Sequence, residues 1–275
     1  MSESRTTVVL TNDDGIGAPG ILALEEAVLA LGLGPYRVIA PAGACSGCGH
    51  RVTTHEPIEI THLDERHTAI AGTPADCARL AIHHLAPDVR LILSGINAGG
   101  NLGTDTFHSG TVAAVREGAT FGVAGIALSH YIARGRTIDW SIAIKLVLPA
   151  LRLILDRPWQ PGTFWNVNLP HLERPEAIPP IVDCPVDPSP HPLNYRIDGD
   201  RALYSGNYQN RPRVEGADIS VCFGGSIAVS PISIAGPGVI VGEPRPSGRL
   251  VDFCTEQNAR KDLRFHLADG RSSMP

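Results

Sequence analysis

Thr7-Val8-Val9-Leu10-Thr11-Asn12-Asp13-Asp14-Gly15, with Ala18-Pro19-Gly20-Ile21 close behind, is the stretch on which the reading of this chain turns. A short β-branched, apolar run ends directly in a polar loop, and a proline suited to a first helical turn follows. Ile21, Leu22, Leu24, Ala27, Val28 and Leu31 then recur at helical spacing until Gly32 and Gly34 stop the helix. The unit repeats down the chain. Tyr36 to Ala40 reads as a second strand closed by Pro41, and His67 to Leu85 as a third strand–helix unit turning at Gly72-Thr73-Pro74. Val89 to Leu93 reads as a buried strand, Thr111 to Gly118 as a helix and Gly125 to Ser129 as a further strand. Strands alternating with helices build a parallel sheet covered by helices, so the expected class is α/β with a mostly parallel, Rossmann-like sheet.

The second half changes character. Asp139 to Asp156 is one amphipathic helix, Thr163 to Leu169 a strand, and Val221 to Ile234 reads as extended β structure. Fifteen of the 23 prolines fall between Pro158 and Pro246, which excludes long helices there. A soft boundary near Pro170 separates a Rossmann-like catalytic core, residues 1–170, from a β-rich, Pro-rich C-terminal region, residues 171–275; one continuous domain is the alternative. Pro188 to Arg213 is a long polar segment holding Tyr195, Tyr204 and Tyr208, with Ile197-Asp198-Gly199-Asp200 marking a hairpin turn. A hairpin of this kind leans either on its own core or on another subunit.

Composition narrows the function. The net charge is −5 and lysine occurs only at Lys145 and Lys261, with no basic stripe, so a duplex nucleic acid is not an expected partner. The opening Met1-Ser2-Glu3-Ser4-Arg5 runs into an apolar segment too short for a signal peptide, and no run reaches the roughly 18 apolar residues of a membrane span. Six cysteines are too sparse for a disulfide framework. A cytoplasmic protein with reduced thiols and no membrane partner is the expectation.

Open α/β sheets bind ligands at the carboxyl ends of their strands, and three loops there are unusually polar. Asn12-Asp13-Asp14-Gly15 sets two carboxylates side by side, which repel unless a cation lies between them; a simple helix cap is the other explanation. Gly43-Ala44-Cys45-Ser46-Gly47-Cys48-Gly49 permits close backbone approach and offers the Ser46 hydroxyl. Its C-x-x-C suggests zinc or redox chemistry, but no second C-x-x-C follows and His50 and His55 form no recognised finger spacing with it. The third loop, Ser94-Gly95-Ile96-Asn97-Ala98-Gly99-Gly100-Asn101-Leu102-Gly103-Thr104-Asp105, leads to Ser109-Gly110-Thr111 at a helix start. Glycines, amides and hydroxyls at a helix N-terminus form an anion cradle. Neither a Walker lysine nor a G-x-G-x-x-G after the first strand is present, so NTPase and dinucleotide chemistry have no support.

These segments resemble the SurE family of metal-dependent nucleoside monophosphate phosphatases. The resemblance rests on Leu10 to Gly15 with Ala18 to Ile21, Ser46-Gly47, Gly72 to Cys77, Ser94 to Asn101, Ser109 to Val112 and Asn166-Val167-Asn168-Leu169-Pro170, all in the family's order. It implies metal ligation by Asp13, Asp14, Ser46 and Asn97, an oxygen donor set suited to one Mg²⁺ or Mn²⁺. It implies phosphate binding by Asn12, Asn101, Ser109 and Thr111, catalytic roles for Asp13 and Asp14, and a homodimer or homotetramer built through exchanged arms. Ala44-Cys45 and His108 depart from the family pattern, which has charged or amide residues and a tyrosine there; the last forty residues match nothing in it. His108 is either a general acid or a solvent-facing histidine.

The expected function is hydrolysis of nucleoside 5′- or 3′-monophosphates to nucleoside and phosphate by a divalent-metal phosphomonoesterase. The alternatives are a catalytically weakened nucleotide- or phosphate-binding oligomer and a phosphatase of another small phosphomonoester.

Overall fold

Val8 and Leu10 bury their side chains on one face of the first strand and Val9 on the other, as the two-residue period of a central strand demands. The computed structural model describes residues 7–173 and 175–235; the Pro-, Gly- and Arg-rich segment after Ala235 lies outside the described residues. In chain order the elements are β1 (Thr7–Thr11), α1 (Pro19–Leu31), β2 (Tyr36–Pro41), β3 (Ile60–His62), β4 (His67–Ile70), α2 (Pro74–Leu80) and β5 (Val89–Ala98). There follow α3 (Gly110–Thr120), β6 (Ala124–His130), α4 (Trp140–Leu155), β7 (Thr163–Leu169), β8 (Ile181–Asp183), β9 (Tyr195–Asp198), β10 (Arg201–Tyr204), α5 (Asp218–Phe223) and β11 (Ile227–Ser233).

Nine strands form one sheet in the order β3-β4-β2-β1-β5-β6-β7-β11-β8. It is parallel from β4 through β7, with β3 and β11 antiparallel to their inner neighbours. The chain moves outward from β1 to β2 and then returns to place β5 on the other side of β1. That reversal between β1 and β5 is a topological switch point, where such sheets open a crevice for ligands. Helices α1 and α4 pack on one face of the sheet, α2 and α3 on the other. The sheet continues past residue 170, because β11 pairs with β7 and β8 with β11.

Local chemistry explains the helix starts. Thr73 and Asp76 form a reciprocal capping box at α2, with Pro74 at the first helical position. Asp139 caps α4, Ser109 caps α3, and Gly32 closes α1 in the left-handed conformation.

Two expectations need correction. The segment from Ser94 to Ala98 is not loop: β5 runs through it, with an irregular register between Ser94 and Asn97, so that Asn97 and Ala98 pair with Ser129 and His130. Val221 to Ile234 is not continuous β structure either, since α5 ends only at Phe223 and Gly224-Gly225-Ser226 separates it from β11. Ile219 and Cys222, three apart, reach one small core with Leu102 only if that stretch is helical.

Candidate active site

Asn12 folds the loop after β1 onto itself. Its side-chain amide donates to the Gly15 carbonyl at 2.8 Å and accepts from the Gly15 N–H at 3.2 Å. Asp13 is then carried beneath the N-terminus of α3, where the Thr111 hydroxyl donates to its Oδ1 at 2.5 Å. Only a glycine at position 110 allows this approach, because a Cβ there would come within 2.8 Å of the Asp13 Cβ. The Asp13 carbonyl accepts the Cys45 N–H at 2.7 Å, tying the loop after β2 to the same spot. In that loop the Cys48 N–H donates to the Cys45 carbonyl and Gly47 has φ +73°, a tight turn with exposed Ser46 at its corner. Cys45 and Cys48 are both free thiols.

Asp14 is half-buried and accepts the Ala98 N–H through Oδ2 at 3.2 Å, which joins it to the end of β5. Next to Ala98, the Asn97 amide nitrogen donates to the Gly99 carbonyl at 2.8 Å. That bond orients the Asn97 amide and leaves its oxygen available as an acceptor or ligand. A cleft of about 520 Å³ opens beside Asp14.

The residues expected to hold phosphate divide. Ser109 accepts the Val112 N–H as the cap of α3, and its hydroxyl hydrogen stays available for a ligand. Thr111 is committed to Asp13, and Asn12 to its own turn. Asn101 is enclosed in a network that the sequence did not reveal. Its N–H donates to Asn168 Oδ1, its side chain to Ser129, and its carbonyl accepts from both Asn166 and Asn168. Asn166 and Asn168, two apart on β7, share one face and grip the end of the cradle loop; the Asn-x-Asn alternation was the available signal. His108 is exposed at the rim, where its carbonyl accepts the Gly49 N–H. His130, at the end of β6, is buried, which pushes its pKa down to about 4 and keeps it neutral near pH 7.

The electrostatics are lopsided. Burial pushes the Asp13 carboxyl above the usual carboxylate range; the Thr111 hydroxyl opposes that rise and the Asp14 charge adds to it. Loops 12–15, 43–49, 94–105 and 109–111 contain no lysine or arginine. Within these loops an anionic ligand would meet two carboxylates and no side-chain cation; Arg51, just past the second loop, is near enough to oppose the rise in pKa of the Cys45 and Cys48 thiols. The donor set of carboxylates, amide oxygen and hydroxyl fits a hard divalent ion, which would neutralise the carboxylate charge.

Two expected results follow. Thr111→Val leaves Asp13 without its donor and is expected to weaken Mn²⁺ binding by about 10–100-fold, whereas Thr111→Ser retains it; calorimetric titration compares them. An Asp13 that holds its proton to higher pH than an ordinary carboxyl makes cation affinity fall as pH is lowered from neutrality. A Mn²⁺ dissociation constant flat from pH 7 to pH 4 would contradict this.

The fold and site define a class: a Rossmann-like α/β protein with an acidic centre at the carboxyl ends of its parallel strands. The family model described as survival protein SurE matches residues 8–182. The chain belongs to the SurE family. It is 51% identical over 228 residues to a Nostoc sp. protein, covering 83% of this chain and all of that one. It is 35% identical over 240 residues to the 5′-nucleotidase SurE of Geobacter sulfurreducens, covering 82% and 87% of the two chains. The crystal structure of the SurE protein from Aquifex aeolicus superposes with a TM-score of 0.72 at 32% identity, over 82% of this chain and 93% of that one.

Proposed function

We propose that this chain is a nucleotidase: a divalent-metal-dependent phosphomonoesterase that hydrolyses nucleoside 5′- or 3′-monophosphates to nucleoside and phosphate. The observation that carries the reading is the Asp13–Asp14 pair, one carboxylate buried beneath the N-terminus of α3, among loops that themselves hold no lysine or arginine. The curated relatives named 5′-nucleotidase SurE support the substrate class.

Asp13, Asp14, Ser46 and Asn97 would hold one Mg²⁺ or Mn²⁺. When bound, the ion supplies Lewis-acid polarisation of the phosphoryl group and lowers the pKa of water. Thr111 fixes the Asp13 carboxylate. The backbone N–H groups at the start of α3 and the Ser109 hydroxyl face the phosphate and orient it. Asp14 lines the open cleft, which supports giving it, of the two carboxylates, the task of taking a proton from the attacking water. Asn101, held by Asn166, Asn168 and Ser129, keeps the cradle loop in position and contributes through that loop.

A phosphate-release panel over nucleoside monophosphates with Mg²⁺, Mn²⁺ or chelator tests the reading. Metal-dependent turnover supports it; turnover unaffected by chelator, or a sugar phosphate preferred throughout, overturns it.

The same reading places the protein in the cytoplasm as a homodimer or homotetramer. No helix among the described residues is long and apolar enough to cross a membrane. Support for assembly comes from β9 and β10, an antiparallel hairpin whose eight residues are all exposed, Tyr195, Ile197, Leu203 and Tyr204 among them. Arg211, beyond the hairpin, is buried against Asp105 and belongs to the body. Deleting only Tyr195 to Tyr204 is therefore expected to lower the mass in solution without unfolding the chain. An unchanged mass by light scattering rejects the arm.

A further inference from the structure

The cleft of about 520 Å³ beside Asp14 has an unusual lining. Its lining includes Pro19 and Gly20 at the start of α1, Gly43 in the loop after β2, Ala98 at the end of β5, and Trp140 at the first turn of α4. Trp140 is half-buried and lies against Gly20, where a Cβ would stand 3.0 Å from the Trp140 Cη2. Apart from Asp14 and Trp140, glycine, alanine and proline make up the lining, so no other side chain offers a hydrogen bond. The volume is within the range of small-ligand sites.

We propose that this cleft is the nucleoside subsite, and that Trp140 grips the substrate by stacking on its base. The assignment rests on the nucleotidase reading and deepens it. With the phosphate at Asp13 and Asp14, a ribose and base extending from it enter the cleft that Asp14 itself lines. A flat, π-faced ligand suits a cleft whose one aromatic side chain stands among small residues, since any base presents a face to stack. Trp140 is thus a specificity residue acting on substrate binding, remote from the scissile bond.

The test compares kcat/KM for adenosine 5′-monophosphate and for ribose 5-phosphate, which lacks the base, in wild type, Trp140→Ala and Trp140→Phe. Trp140→Ala is expected to lower the ratio of the two by about tenfold through KM, with Trp140→Phe restoring most of it. An unchanged ratio overturns the subsite. Binding is read independently of turnover from quenching of tryptophan fluorescence by adenosine. The quenching is expected in wild type and lost in Trp140→Phe, because Trp159 and Trp165 stand outside the cleft. If neither substrate is hydrolysed but this quenching pattern holds, the nucleotidase reading fails and the subsite stands. Equal quenching in wild type and Trp140→Phe rejects the subsite.

Discussion

Asp13→Ala is expected to abolish turnover, by about 10³-fold or more in kcat/KM, while the chain keeps its fold. The loss is large because Asp13 is the carboxylate that the architecture does most to place. It lies under Gly110, accepts the Thr111 hydroxyl, and its carbonyl anchors the Ser46 turn through the Cys45 N–H. Asp13→Asn separates charge from shape, since its amide oxygen can still accept from Thr111. In the metal-free protein the Asp13→Asn substitution is expected to raise the melting temperature at pH 7, because an ionised, buried Asp13 opposes folding. A folded-state pKa above the unfolded value makes ionisation costly at high pH and costless once both states are protonated. The gain is therefore full above the folded pKa and fades as pH falls towards the unfolded value. A variant inactive and less stable at pH 7 would show that Asp13 is a structural residue.

Gly20→Ala is expected to produce a large loss of stability. A Cβ at this position would stand 1.9 Å from the Ile96 carbonyl oxygen, where α1 crosses β5. The obstacle is backbone in a central strand, so relief requires the helix and strand to move apart. A cost of about 3 kcal/mol is in scale with such overpacking, and each kcal/mol lowers the melting temperature of a chain this size by about 2–4 °C. Ile96 precedes Asn97, and Gly20 also borders the cleft, so turnover should fall with stability. Thermal denaturation within about 1 °C of wild type would show that the approach is looser than described.

Much of this was legible along the chain, and the limits have physical reasons. β1, its loop and α1 declare themselves locally, because a β-branched run, a polar turn, a proline and a helical period coincide within 25 residues. The hairpin turn at Gly199-Asp200 likewise falls where the turn residues placed it, between β9 and β10. β5 hid its last residues, since Ser-Gly-Ile-Asn reads as a turn and only pairing with β6 makes it a strand. α5 hid behind β-branched residues whose helical form is imposed by a core shared with Leu102. The short β3 and β8 are three residues each, too little for a period to show.

Within the site, Asp13 and Asp14 stood out as an adjacent like-charged pair. The duties of Thr111 and Asn101 did not, because their partners lie 98 and 67 residues away in sequence. Both carry hydroxyl or amide groups at the right loops, and sequence alone cannot tell a group that meets the ligand from one that holds its neighbour.

Anomalous diffraction from crystals grown with Mn²⁺ and recorded at the manganese edge decides whether the acidic centre is a metal site. One peak is predicted, with oxygen ligands from Asp13, Asp14, Ser46 and Asn97. A peak elsewhere, or none at this site in crystals of a protein whose turnover requires Mn²⁺, would refute that assignment.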